Sequence, residues 1–186
     1  MEIYLIRHGE SVGNRDKFFA TRETPLTEKG IQQARDAKNR LGDMEFDLVI
    51  SSAYQRAIET TREIREDFLI DERVIEHISG LEGLTLLEAR EKFPWARDDF
   101  LKDPLNHKIE GYESRLDVYN RAVDFIESID KNLERLLIVS HENFITSVLA
   151  YVFNDPNYVF NFVADNAKIS AIGLENGRRY LKCLNV

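Results

Sequence analysis

The chain has 186 residues, 43% hydrophobic and 31% charged, with a formal net charge of −8 and a pI near 5.1. That length suits one domain with a sizeable core, and that charge opposes non-specific binding to nucleic acid or to an anionic membrane surface. It does not exclude a phosphate ligand, because a few converging cations suffice locally.

The predicted elements alternate. Ile3-Tyr4-Leu5-Ile6 reads as a buried strand. Thr27 precedes a helix to Leu41, with Ile31, Ala34, Ala37 and Leu41 at helical spacing and Gly42 as its stop. Phe46 to Ile50 is a second strand, and Ser52 with Gln55 has the spacing of a capping box before the next helix. Val74-Ile75 reads as a short or edge strand. Thr85 with Glu88 caps a helix that Pro94 ends, and Ser114 with Asp117 opens a longer one through Ile129. Leu136 to Val139 is the clearest strand, followed by a helix from about Glu142 to Phe153. Ile169–Leu174 and Tyr180–Leu184 flank an Asn176-Gly177 turn, a hairpin signal. Short apolar runs alternating with helices predict an α/β fold. The stretch from about 80 to 111, with Pro94, Trp95, Pro104 and His107, fits this alternation poorly and reads as a cap on one sheet edge.

The single cysteine, Cys183, has no partner for an internal disulfide and is expected to be a buried small hydrophobe. The N-terminus shows no basic leader, and no stretch approaches membrane-spanning length, so the expected setting is cytoplasmic.

Chemistry concentrates where the strands end. Arg7-His8-Gly9-Glu10 follows the first, Ser51 to Arg56 the second, Glu76 the short run, and Ser140-His141 the last full strand. Ligands of open α/β sheets bind outside the carboxyl ends of strands. Arg7, His8, Arg56, Glu76 and His141 should therefore meet on one rim, beside helix N-termini that favour anions. Two arginines and two histidines there make an oxyanion pocket, which suits phosphate.

The run Arg7-His8-Gly9-Glu10 with Ser11 and Asn14 resembles the signature of the histidine phosphatase superfamily, the phosphoglycerate mutase-like proteins. Further segments match it: Pro25 to Gly30 with Gln33-Ala34, Ser51-Ser52 through Thr60, and Asp71 to Glu76 with Gly80 and Glu82 to Thr85. Gly111, Glu113-Ser114, Arg121 and Val139-Ser140-His141 complete the set. One four-residue motif is weak evidence; six ordered segments are strong.

The resemblance implies a three-layer sandwich with a mostly parallel central sheet, a domain spanning 1–186 and a small helical cap at about 80–111. It also implies roles. His8 attacks phosphorus, Arg7 and Arg56 neutralise the equatorial oxygens, and Asn14 and His141 donate to the same group. Glu76 gives a proton to the leaving alkoxide and takes one from water. With this much fixed positive charge no metal and no cofactor is required, and the expected partner is a small phosphorylated substrate. Glu72, Glu82 and Glu10 are rival acids to Glu76, and a zinc site on His8, His141 and Glu76 is the rival chemistry. The arginines would repel such a cation.

Glu142 departs from the family, which usually has a small residue after the second histidine; the expected reading is a first-turn helix acid. Arg22 stands where relatives are more regular and is a candidate contact near the pocket. In the cap, His107 is a weak substrate candidate, Phe93, Trp95 and Phe100 are read as packing, and Arg90, Lys92, Arg97, Lys102 and Lys108 are cations for a second acidic group. A short cap favours water as acceptor, hence a phosphatase. A phosphoglycerate mutase is the alternative, and a non-catalytic phospholigand- or protein-binding module is the second.

Overall fold

The computed structural model describes residues 1–186. Its strands are β1 (Glu2–Arg7), β2 (Leu48–Ser52), β3 (Leu69–Asp71), β4 (Arg135–Ser140), β5 (Ile169–Glu175) and β6 (Arg178–Cys183), joined in one sheet of order β3-β2-β4-β1-β5-β6. The four strands β3, β2, β4 and β1 run parallel, and β5 and β6 add an antiparallel hairpin. The hairpin turns through Asn176 and Gly177, both at positive φ, as its sequence requires.

Parallel strands buried on both faces read as continuous apolar runs, and here the two faces separate residue by residue. Ile3 and Leu5 of β1, with Leu136 and Ile138 of β4, enter a core closed by Phe125 and Ile126 of α6 (Arg115–Ser128) and Phe144 and Val148 of α7 (Glu142–Tyr151). Tyr4, Ile6, Leu137 and Val139 point the other way, against Ala37 and Leu41 of α2 (Glu28–Leu41) and Ala57 and Ile64 of α3 (Gln55–Ile64). This is the three-layer sandwich with a mostly parallel sheet that the resemblance implies.

Two capping boxes form as expected, Thr85/Glu88 and Ser114/Asp117, and Thr27 Oγ1 also caps its helix by accepting from Gly30 N at 3.1 Å. Three expectations need correction. Val74-Ile75 is not a strand: β3 lies earlier, Glu72–Val74 is a 3₁₀ turn, and Val74 is buried because it anchors that turn in the α6 core. Ser52 does not cap α3. It ends β2, Tyr54 takes the cap position without a side-chain bond, and the Ser52 hydroxyl turns to His141. Cys183 is half-buried at the margin of the α2–α3 core, where the last strand leaves it partly open.

Between β3 and α6 lie two short helices, α4 (Leu86–Lys92) and α5 (Ala96–Lys102), the second with no buried residue. The feet of this segment are tied together, Glu113 N donating to Ile78 O and Ile78 N to the Glu113 carboxylate, both at 2.9 Å. Phe19 N donates to Leu84 O at 2.8 Å and holds its near end to the loop after α1 (Val12–Asp16). No helix is long and apolar enough to cross a membrane.

Candidate active site

The loop after β1 is built by close backbone approach. His8 N donates to Ser140 O of the neighbouring strand at 2.9 Å, and Gly9 N to Thr60 Oγ1 at 3.0 Å. A Cβ on Gly9 would lie 2.3 Å from Gly30 O, and one on Gly30 would lie 2.1 Å from Glu10 O. Two glycines therefore let the loop settle on the first turn of α2.

His8 is buried, and its Nδ1 lies 2.7 Å from Gly9 O. A carbonyl only accepts, so the ring proton sits on Nδ1 and the lone pair of Nε2 is exposed to the site. Arg56 Nε donates to that Nε2 at 3.2 Å, while Arg56 Nη1 donates to Thr21 O at 2.7 Å. Burial first, then the charges of Arg56 and Arg7, hold the His8 pKa well below its ordinary 6.5. His8 is therefore a neutral imidazole whose Nε2 carries no proton.

His141 packs behind it, ring centroids 5.1 Å apart, with its Nε2 2.7 Å from Ser52 Oγ. Burial and the same arginines keep it neutral as well. Arg7 reaches in from the end of β1, its Nη1 donating to Ala164 O at 2.7 Å. In the whole chain only two buried side-chain nitrogen or oxygen atoms lack a partner, Arg7 Nε and His141 Nδ1. Buried donors are normally paired, and these two orphans belong to residues next to His8, one in sequence and one by ring packing.

Glu76 stands on the loop after the 3₁₀ turn. Its Oε1 accepts from His77 N at 2.9 Å and from Asn143 N, in the first turn of α7, at 3.2 Å. Arg121 clamps this loop, donating to the carbonyls of Arg73, Ile75 and Glu76 while ion-paired with Glu113 at 2.9 Å. Asn14, at the third position of α1, spends its Oδ1 on Ser11 and Asn166, leaving its amide NH₂ without a partner.

Arg7, His8, Asn14, Arg56 and Glu76 line one cavity of about 810 Å³, with His141 buried behind His8. Of the rival acids, Glu82 also lines it but accepts from Ser79 N and Oγ, Glu10 pairs with Lys29, and Glu72 pairs with Arg22. No three His, Cys, Asp or Glu side chains converge as a metal-ligand set.

The whole-chain match decides the family: the model of the histidine phosphatase superfamily (branch 1) fits residues 3–186. The chain belongs to the histidine phosphatase superfamily. It is 28% identical to phosphoserine phosphatase 1 of Hydrogenobacter thermophilus over 100% of this chain and 92% of that protein. To the adenosylcobalamin/alpha-ribazole phosphatase of Salmonella typhimurium it is 29% identical, over 100% and 96%. The crystal structure of the alpha-ribazole phosphatase from Shigella flexneri superposes with a TM-score of 0.92 at 26% identity, covering 100% of this chain and 96% of that one.

In this histidine phosphatase several peripheral expectations change. Arg22 is no pocket residue; its exposed side chain pairs with Glu72 and lies 5.8 Å over the Tyr54 ring. Glu142 is a first-turn acid of α7, but its Oε2 also reaches Arg7 Nη1 at 3.1 Å, because the first turn of α7 begins directly beside the end of β1. Phe93 and Phe100 line the cavity instead of packing away, with His107, Arg90, Arg97 and Lys108; Trp95, Lys92 and Lys102 do not. Arg115 was not legible as a site residue. It opens α6, lines the cavity, and makes no hydrogen bond or ion pair. A lone arginine at a helix start, where its charge opposes the dipole, is the signal that could have found it.

Proposed function

We propose that the enzyme hydrolyses phosphomonoesters through a phosphohistidine on His8. The observation that carries this reading is the pair of orphaned donors, Arg7 Nε and His141 Nδ1, in the site of a His8 whose Nε2 carries no proton and whose Nδ1 is anchored. An incoming phosphoryl group gives both donors an acceptor, and Arg56 Nε can pass from His8 to a phosphoryl oxygen without leaving its Thr21 anchor. Ser52 Oγ already accepts from Tyr54 N at 3.3 Å and can give its own proton to His141 Nε2, which keeps the His141 proton on Nδ1, facing the oxyanion.

His8 Nε2 attacks phosphorus as the ester P–O bond breaks. The leaving alkoxide takes a proton from Glu76, whose Oε2 stays free while Oε1 is held by two backbone N–H groups. Water then attacks the phosphohistidine, Glu76 recovers a proton, and the N–P bond breaks to release phosphate. Arg7, Arg56, Asn14 and His141 stabilise the charge that spreads over the equatorial oxygens in both steps. The substrate is a small phosphorylated molecule, in keeping with the phosphoserine and alpha-ribazole phosphatases that the chain resembles.

The test is phosphate release from p-nitrophenyl phosphate and a panel of phosphometabolites in EDTA, for wild type and His8→Ala. The expected result is metal-independent release that the substitution lowers by roughly 10³-fold or more, the scale of losing a covalent nucleophile. An acid-labile, alkali-stable phosphoprotein should be trapped only in the wild type. Full activity in His8→Ala would end this reading, and transfer between the 2- and 3-positions of phosphoglycerate that outruns phosphate release would replace it with a mutase.

A further inference from the structure

We propose that the half of the cavity away from His8 is a chamber for the body of the substrate, and that this body is a large apolar group carrying a ring. The inference rests on the phosphatase reading above and deepens it.

A phosphate and a three-carbon acid would occupy only the end of a cavity of about 810 Å³, a size that suits drug-sized ligands. Its walls include the cations Arg90, Arg97 and Lys108, but most of the surface they expose is apolar. Leu86 and Phe100 are 54% and 39% exposed, and Leu101 and Phe160 are 65% and 43% exposed. All four line the same cavity as His8. Single exposed apolar side chains are ordinary, but several gathered on one concave wall mark a binding surface. Phe100 and Phe160 face each other edge to face at 6.5 Å, and His107 lies 6.3 Å from Phe100. Such an arrangement offers ring faces and edges to a planar guest.

Arg115 links this wall to the phosphate end, near enough to Glu76 and Glu142 for their charges to act on it. Its guanidinium lies 5.6 Å over the Phe160 ring, it is half-buried, and no carboxylate of the chain pairs with it. Stacked on an aromatic face, a guanidinium presents a flat surface and a fork of donors at once. It can therefore hold a polar atom of the body while the rings hold the rest. A small acidic substrate would use these cations and leave the apolar wall wet.

The test compares primary alkyl phosphates, and phosphonates in place of the esters, whose alkyl bodies differ. Binding of 4-phenylbutylphosphonate and butylphosphonate to the wild-type enzyme is measured by calorimetry, and turnover is measured for 4-phenylbutyl phosphate, butyl phosphate and phosphoserine. The phenyl compound should bind at least tenfold tighter and be preferred at least tenfold in kcat/KM over both others. Phe100→Ala should cut the phenyl-to-butyl ratio at least fivefold. Equal binding of the two phosphonates, a ratio unmoved by Phe100→Ala, or a tenfold preference for phosphoserine would overturn the chamber. The parent reading fails separately, by turnover that survives His8→Ala, and the phosphonate titration still decides the chamber in that case.

Discussion

One cavity has two ends made in opposite ways. At the end beside His8 the polar residues are anchored to backbone groups: His8 by Ser140 O and Gly9 O, Arg56 by Thr21 O, Glu76 by Asn143 N. The far end hangs on α4 and α5, seven residues each, whose large apolar side chains face the cavity more than any core. The difference teaches how such a fold divides its labour. Preorganised charge needs a rigid frame to be worth its desolvation, whereas apolar recognition is non-directional and tolerates a looser one.

The largest expected effect lies at the rigid end. Glu76→Gln keeps an oxygen to accept from His77 N and Asn143 N but removes the proton. Turnover of alkyl phosphates should fall roughly 10²–10⁴-fold, the usual worth of a positioned acid. p-Nitrophenyl phosphate, whose leaving group needs no proton, should lose much less. A steady-state comparison of the two esters checks this, and equal losses would remove Glu76 from the proton transfer and transfer attention to Glu82.

The two ends also differed in what the sequence disclosed. His8, Arg56 and His141 could be placed because each follows a short apolar run whose parallel pairing forces the strand ends together. Glu76 could be placed although Val74-Ile75 was misread as a strand, since its neighbour Val74 is still anchored in the core and the loop still points to the rim. Ser52 was hidden because its spacing to Gln55 imitates a helix cap, and only the pairing of β2 with β4 reveals that its hydroxyl meets His141. Asn166, which donates to His8 O at 2.9 Å, comes from a loop 158 residues away and carries no local signal. The chamber was least legible. Phe93 follows α4 and Phe100 lies in α5, helices too short for periodicity to say which face is inward, and the same apolar residues serve equally well as packing.

A second way to sharpen the contrast is stability at acid pH. His8 and His141 are both held well below their ordinary 6.5, mainly by burial, so the unfolded chain binds protons first as pH falls. The sign follows from linkage: their contribution is fully present above pH 6.5 and is lost as pH drops below it towards the folded values. Each histidine can steepen the loss by up to about 1.4 kcal/mol per pH unit. Urea unfolding between pH 7.5 and 5.5 should show a shallower loss in His8→Gln than in wild type. Parallel curves would mean that His8 is not the buried neutral base described here.

The smallest effect concerns Glu142, the carboxylate that pairs with Arg7. Glu142 Oε2 lies 3.1 Å from Arg7 Nη1 and so shares with the substrate a cation that Ala164 O already anchors. Two opposed forces follow. The ion pair orients Arg7, which helps binding, while the negative charge repels a phosphate dianion a few ångströms away, which hinders it. Because Glu142 is partly exposed, solvent and salt screen the repulsion, yet Arg7 retains a second anchor, so orientation is the term more easily spared. Glu142→Gln should therefore tighten inhibition by inorganic phosphate about threefold to tenfold, worth about 1 kcal/mol at this exposure. The gain should shrink in high salt. Weaker phosphate binding in the variant would reverse the ranking and make Glu142 a positioning residue for Arg7. In the wild type, by this argument, Glu142 hastens release of the product that the four donors around His8 would otherwise hold.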